Sequence, residues 1–551
     1  LVQFGDSISQ RSNAGEAPTL HEQPLPEKFI FDFLDGFIHF DAIFRSPSRK
    51  VELMTDRRNY GRRRFFKTAA GLTSVPLMAP FVRSSPQQRK DNPTVSENQN
   101  EGTVEWQLQY TRFDDPITQA SYPLIRRLRS SAIEGYLSRT SALPGESLDL
   151  MVSMDPPGQF YVDFYRMGYY GGRGGRHYLR LGPFKAESQP VPMMTIERLR
   201  ECKWEKITSF KVPDDWPSGV YLGKLTRDEK FGAQSYVVFV VKQHRQSEIL
   251  FQVSDLTWQA YNKWPGRDSL YDDGTPNVWY TGPNVRVSFD RPYAKYCQII
   301  DAPLSAGSGS FLLWEHPAVY WLEREGYDVT YCSNLDLELD PKVLDLARVF
   351  IPIGHDEYWS REMYDQAMRA REEGLSLAFL SGNAVYHEII TYSSSVTGAP
   401  FRAFARKELF SDEAKLMGST SYGSGYGDWV VRNANHWIYE STGLRDGDRI
   451  PAVIGWEFHG PPYGETEGLK VIAESEVTAR DRLHGAVVFP CSRGNWVFNA
   501  GTIWWAEGLS QPPGHIPART PNRAGTFGVN PHVQRITQNF LDRTIRESPR
   551  A

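Results

Sequence analysis

Tyr261, Tyr271, His355, Glu357 and Asn383 are the side chains of this 551-residue sequence whose types and settings could do chemistry together. Each follows an apolar run of strand length, at residues 249–253, 349–353 or 375–380. In a parallel α/β sheet, ligands bind beyond the carboxyl ends of the strands, so these side chains would share one crevice. Two phenolates and a carboxylate make a hard, anionic oxygen set, suited to a highly charged iron ion more than to zinc. Free phenol ionises at about pH 10, and a bound cation favours the phenolate. Such a metal polarises a carbonyl and activates water. His355 would then move protons, and Asn383 would hold substrate or an oxyanion. Taken singly, each residue has a plainer role. A loop tyrosine ordinarily packs, Glu357 complements the dipole of a helix start, and His355 is a loop residue.

Other chemistries are less well served. Glu357 and Glu457 could serve as the carboxylate pair of a glycosidase. Ser381-Gly-Asn383 sits at a strand end, but no G-x-S-x-G elbow accompanies it. Cys332 also follows a strand, with no activating partner given by spacing.

The elements that must position these residues centre on 348–360. Residues 349–353 read as a strand that Gly354 should break, leaving His355, Asp356 and Glu357 just past its end. Ser360 can cap a helix over 361–373, which Gly374 stops, and 375–380 is the next strand. With a helix over 317–325, a strand over 327–331 and a terminal amphipathic helix over 532–544, residues 246–551 are expected to form an α/β domain. Its sheet should be mainly parallel, of a flavodoxin-like or amidotransferase-like kind. Residues 130–245 have another texture: 148–153 and 161–166 alternate at period two, and 236–241 is a Val-rich run. These predict an N-terminal immunoglobulin-like β-sandwich, so the fold class is α/β with an all-β module. The glycine-rich 168–176 lacks the Lys-Ser/Thr of a phosphate loop and reads as a wide hairpin or a packing surface for rings.

Hydrophobic content of 40% and a net charge of −4 describe an ordinary globular chain, and the lack of a basic block argues against nucleic acid. Four scattered cysteines argue against a zinc-thiolate site but leave room for one or two disulfides. Arg62-Arg-Arg-Phe-Phe-Lys67 and the short apolar run after it read as a twin-arginine export signal over 54–83, too short for a membrane span. The expectation is therefore an exported, periplasmic or extracellular protein. Residues 1–53 would be an extension preceding the true start, and the polar stretch 84–129 a linker.

The quoted segments, with Arg166-Met-Gly-Tyr-Tyr-Gly-Gly172, Trp258-Gln-Ala-Tyr-Asn262, Ser269-Leu-Tyr-Asp272, Ser288-Phe-Asp-Arg-Pro-Tyr293, Gly354-His-Asp-Glu-Tyr-Trp359 and Gly382-Asn383, resemble the N,N-dimethylformamidase large (β) subunit-like family over roughly 130–510. The resemblance implies a hydrolase of linear amides with a mononuclear iron, in the ferric state, held by two tyrosinates and a glutamate. It makes Tyr261 and Glu357 ligands, with His355 beside them, and Asn383 and Glu457 active-site residues. Tyr271 is taken as the second tyrosine, with Tyr293 as the alternative. A small-molecule amide substrate, a small companion subunit and a homo-oligomer belong to the same implication. The rival expectations are a non-catalytic cell-surface glycan-binding protein and a two-carboxylate glycosidase.

Overall fold

The computed structural model describes residues 92–112, 129–275, 279–297, 300–301, 303–455, 457–478, 482–515 and 528–550. The expected extension (1–53) and export segment (54–83) lie outside the described residues.

Alternating residues drive the first part. Eight strands, β1 (Glu134–Leu137), β2 (Ser141–Ala142), β3 (Ser147–Ser153), β4 (Gly158–Met167), β5 (Gly175–Ala186), β6 (Lys206–Lys211), β7 (Gly219–Arg227) and β8 (Gln234–Val241), form two sheets, β1-β3-β6 and β2-β8-β7-β4-β5. Pairing is antiparallel except between β2 and β8. Leu148, Leu150 and Val152 from one sheet meet Phe160, Val162, Phe164 and Phe239 from the other in one core. The glycine-rich segment joins β4 to β5. Its Tyr170 is buried and donates to Glu97, while Asn98 Oδ1 accepts from the amides of Tyr169 and Tyr170. Residues 92–112, expected within a linker, are therefore docked rather than free-running. A short helix, Pro93–Glu97, supplies Glu97, and Trp106 and Leu108 are buried. Polar composition misled because these side chains are spent on hydrogen bonds to the body.

The second part is built on β9 (Ser247–Val253), helix α1 (Asp255–Tyr261), β10 (Arg286–Ser288), α2 (His316–Glu325), β11 (Val329–Ser333), β12 (Ala347–His355), β13 (Tyr358–Ser360), α3 (Arg361–Glu372), β14 (Ser376–Gly382), β15 (His387–Tyr392), β16 (Ala403–Leu409), β17 (Glu457–Tyr463), β18 (Lys470–Glu476), β19 (Leu483–Pro490), β20 (Trp496–Asn499) and α4 (Pro531–Arg546). The seven-stranded sheet runs β11-β9-β12-β14-β20-β19-β18; its first five strands are parallel, and β19 pairs antiparallel with both β20 and β18. The sheet is thus mixed, and its parallel half is the part expected from sequence.

Period two sorts its two faces. Val349, Ile351, Ile353, Ala378 and Leu380 pack with α2 and α4, whereas Phe350, Leu377 and Phe379 pack with Met363, Tyr364, Ala367 and Ala370 of α3. Ser360 caps α3, its Oγ accepting from the Met363 amide at 3.1 Å. A smaller sheet, β10-β16-β15-β13, lies beyond the carboxyl end of β12.

Gly354 does not end its strand as expected. It takes φ +71°, yet Gly354 and His355 keep their parallel pairing with Ser381 and Gly382, so β12 carries His355 as its last residue. A Cβ at Gly354 would meet Trp314. Cys202, Cys332 and Cys491 are free thiols. No helix among the described residues is long and apolar enough to cross a membrane.

The two parts are tied by buried charge. Arg166, on β4, pairs with Glu323 of α2 at 2.7 Å, and Tyr331 donates to the same carboxylate. A Cβ at Gly382 would fall against the Glu457 carbonyl and the Ile503 amide. Gly382→Ala should accordingly cost about 1–3 kcal/mol, read as a lower urea midpoint with an unchanged m-value.

Candidate active site

The parallel strands deliver the reactive groups to one edge. β9 leads through Ser254 into α1, whose last residue is Tyr261. Asn262 leaves the helical conformation and ends the helix, its side chain accepting from the amides of Trp264 and Ala294. The chain then folds back so that the Leu270 amide donates to the Ala260 carbonyl at 2.9 Å, which sets Tyr271 beside Tyr261. Buried polar groups staple this loop. Lys263 pairs with Asp272 at 2.7 Å, Ser269 donates to Asp272, and Arg291 donates to the carbonyls of Asn262, Trp264 and Asp268. The sandwich braces it too, since Trp264 Nε1 donates to Glu134 at 2.7 Å.

Glu357 arrives from β12. Its amide donates to Thr257 Oγ1, and its carbonyl accepts from the amides of Tyr386 and His387. The Tyr261 hydroxyl lies 2.8 Å from Glu357 Oε2 and 2.8 Å from the Tyr271 hydroxyl. Tyr271 is 3.0 and 3.2 Å from the two Glu357 oxygens. His355 Nε2 stands 3.3 Å from Glu357 Oε2 and 2.7 Å from Glu457 Oε2. Asn383 Nδ2 donates to Glu457 at 3.1 Å and lies 3.4 Å from His355 Nε2. The structure therefore brings Tyr261, Tyr271, His355, Glu357, Asn383 and Glu457 into one contiguous cluster. Tyr293 is elsewhere: it is edge-on to Trp258 and lines a cavity with Asp255 and Arg402.

Asn383 owes its place to a clamped turn. Asn383 and Val385 take φ of +51° and +52°, a region costly for a β-branched residue. Between them the Ala384 amide donates to His459 Nε2 at 2.9 Å, and its carbonyl accepts from Ser421. Burial drives the His459 pKa down to about 3, so the imidazole stays neutral and its Nε2 remains an acceptor.

Sequence reasoning missed four neighbours. Tyr358 donates to Tyr271 at 2.6 Å, and Arg406 Nη2 donates to Tyr358 at 3.0 Å. His387 stacks on Tyr358 and sits 3.5 Å from Glu357 Oε1; His459 is the fourth. Tyr358 adjoins Glu357 in a quoted segment, which was a usable signal. The others come from distant strands with no local pattern.

The electrostatics are those of acids crowded out of water. Burial pushes the carboxyls of Glu357 and Glu457 up, to about 7 and about 8, and lowers His355 to about 4. Burial, then the neighbouring Glu357, raises both Tyr261 and Tyr271 well above the usual phenol. Among the described residues, no group of three or more His, Cys, Asp or Glu side chains is arranged to hold a metal, so an ion here would have to take phenol oxygen. The set fits a hard cation: three oxygens converge from three chain segments, and a positive charge among them would reverse every upward shift.

Such a cluster at the strand ends of a mixed α/β sheet defines an α/β protein with a buried phenol–carboxyl site. The chain belongs to the N,N-dimethylformamidase beta subunit-like family, whose C-terminal model matches residues 161–519, well over half of its length. No curated protein matches it. Among solved structures, a family 123 glycoside hydrolase from Clostridium perfringens, described for glycolipid glycan hydrolysis, is 13% identical. That match covers 48% of this chain and 46% of the other with a TM-score of 0.10, too slight to carry an argument.

Glu457 yields a signed pH prediction. Its carboxyl is raised from the ordinary 4.5 to about 8, so its proton stabilises the folded state. That contribution is fully present below pH 4.5 and is lost as pH rises through about 8. In chelator-treated protein, urea unfolding at pH 5, 7 and 9 should show wild type losing stability relative to Glu457→Gln by a few kcal/mol across this range.

Proposed function

We propose that this protein hydrolyses C–N amide bonds with the help of a hard cation, iron being the ion the donors favour, held by Tyr261, Tyr271 and Glu357. The carrying observation is the convergence of those three buried side chains within 2.8–3.2 Å of one another. Family membership supports the reading, since the family takes its name from N,N-dimethylformamidase. When bound, the ion would supply Lewis acidity toward an amide carbonyl and toward water.

The protein's own groups account for the protons. His355, kept neutral by burial, accepts the proton that water loses as its oxygen attacks the carbonyl carbon. Glu457, kept protonated by burial, gives a proton to the amine nitrogen as the C–N bond breaks, and His355, 2.7 Å away, restores it. Asn383 aims the Glu457 carboxyl through its Nδ2. Burial excludes bulk water and so strengthens each of these contacts.

The finer architecture is part of the same proposal. Residues 130–245 are read as an immunoglobulin-like sandwich and 246–551 as a flavodoxin-like or amidotransferase-like domain, supported by the two-sheet core and the parallel strands. The twin-arginine pattern at 62–64 supports export to the periplasm or beyond, the family's description as a beta subunit supports a small companion subunit, and a homo-oligomer completes the proposal.

Glu357→Ala should lose bound metal and lower hydrolysis of small linear amides on the order of a hundred-fold or more, checked by elemental analysis beside an amine-release assay. A fully loaded, active variant would remove Glu357 from the scheme. Activity toward glycosides that survives chelation would favour a two-carboxylate glycosidase, and glycan affinity that survives both chelation and loss of Tyr261 would favour a binding module.

A further inference from the structure

A buried positive charge needs an anion, and Arg406 has no carboxylate in contact among the described residues. It is buried, yet its hydrogen bonds go to the carbonyls of Leu270 and Tyr280 and to the Tyr358 hydroxyl, and its Nε has no hydrogen-bond partner there. Its guanidinium carbon instead lies 4.3 Å from the centre of the Tyr271 ring and 5.6 Å from that of Tyr358. The acids that face it are therefore two phenols, with the Glu357 carboxyl one layer beyond.

The arrangement is directional. Arg406 donates to the Tyr358 oxygen at 3.0 Å, and Tyr358 donates to the Tyr271 oxygen at 2.6 Å. Each donor strengthens the next, because a hydroxyl that accepts from a cation donates more strongly. His387, stacked on Tyr358 with ring planes 12° apart, and Phe404, 6.2 Å away, hold that ring in place. The Tyr261 oxygen, by contrast, donates to Glu357 and accepts only from Tyr271, one step further from the guanidinium. One phenol oxygen of the cluster thus receives a proton donor backed by a guanidinium, and the other faces only acids.

We infer that Arg406, acting through Tyr358, is a positioning device that makes the two tyrosines unequal, withdrawing electron density from the Tyr271 oxygen and leaving Tyr261 the stronger donor to a bound cation. The inference rests on the cation site proposed above and concerns two residues outside its ligand set. A hydrogen bond and a positive charge both lower the energy of phenolate electrons. The Tyr271 phenolate should accordingly absorb at shorter wavelength in its charge transfer to iron, and the cation should keep more of its acidity toward a carbonyl.

The test is the visible spectrum of full-length protein loaded with Fe(III), comparing wild type with Tyr358→Phe and Arg406→Met at matched metal content. Tyr358→Phe deletes one hydroxyl and keeps the ring, so it reports even if Arg406→Met fails to fold. The expected result is a tyrosinate-to-iron band that moves to longer wavelength in Tyr358→Phe, with one iron per chain retained. Resonance Raman spectroscopy should show two distinct tyrosinate C–O stretches in wild type converging in the variant. An unmoved band and unchanged stretches would overturn the inference while leaving the cation site standing. Loss of iron from Tyr358→Phe would also overturn it, by making Tyr358 necessary for holding the ion. Absence of any tyrosinate band in wild type would overturn the cation site itself, and the inference with it.

Discussion

Tyr261, Tyr271, Tyr358, Glu357 and Glu457 place five acidic side chains in one space largely withdrawn from solvent, and much of the structure answers to that crowding. Buried carboxyls and phenols resist ionisation, so the cluster holds its protons more tightly than the same groups would in water. Hydrogen bonds among the acids themselves satisfy most of their polar atoms, with Asn383 and Arg406 supplying nitrogen donors. An arrangement of this kind is costly for a protein to build merely as core. Its cost is understandable where a cation is meant to displace the protons.

The surrounding chain works to keep the acids from drifting apart. Parallel strands bring His355 and Asn383 to one sheet edge, and the buried Lys263–Asp272 pair and Arg291 fold the tyrosine loop back upon α1. The sandwich contributes through Glu134 and Arg166, which tie it to the tyrosine loop and to α2. The Arg-Met-Gly-Tyr-Tyr and Ser-x-x-Asp segments of this chain are thus largely about geometry. Ser269, Asp272 and Arg291 touch none of the reactive oxygens, yet they fix the loop that sets Tyr271 beside Tyr261, while Arg166 acts further out by tying β4 to α2.

What the sequence disclosed followed what is local in the chain. His355, Glu357 and Asn383 stood out because each sits next to an apolar run of strand length. Gly354 was misread because a local breaker signal cannot register that its strand stays paired with β14 through a positive φ, even though its pairing with β9 ends at Pro352. Residues 92–112 were misread because polar composition cannot say whether Glu97 and Asn98 bond to water or to the body. Arg406 and His387 were beyond reach altogether. They lie on strands of a small sheet that begins with a three-residue segment, and their partners are 135 and 30 positions away by subtraction of residue numbers, Arg406 from Tyr271 and His387 from Glu357.

The most direct measurement of the central claim is crystallographic. Protein reconstituted with iron would be crystallised and diffraction recorded just above and just below the iron absorption edge. The account predicts one anomalous difference peak at about 2 Å from the Tyr261 and Tyr271 oxygens and from a Glu357 carboxylate oxygen. Strong peaks elsewhere, or none in this cluster at full iron loading, would contradict it.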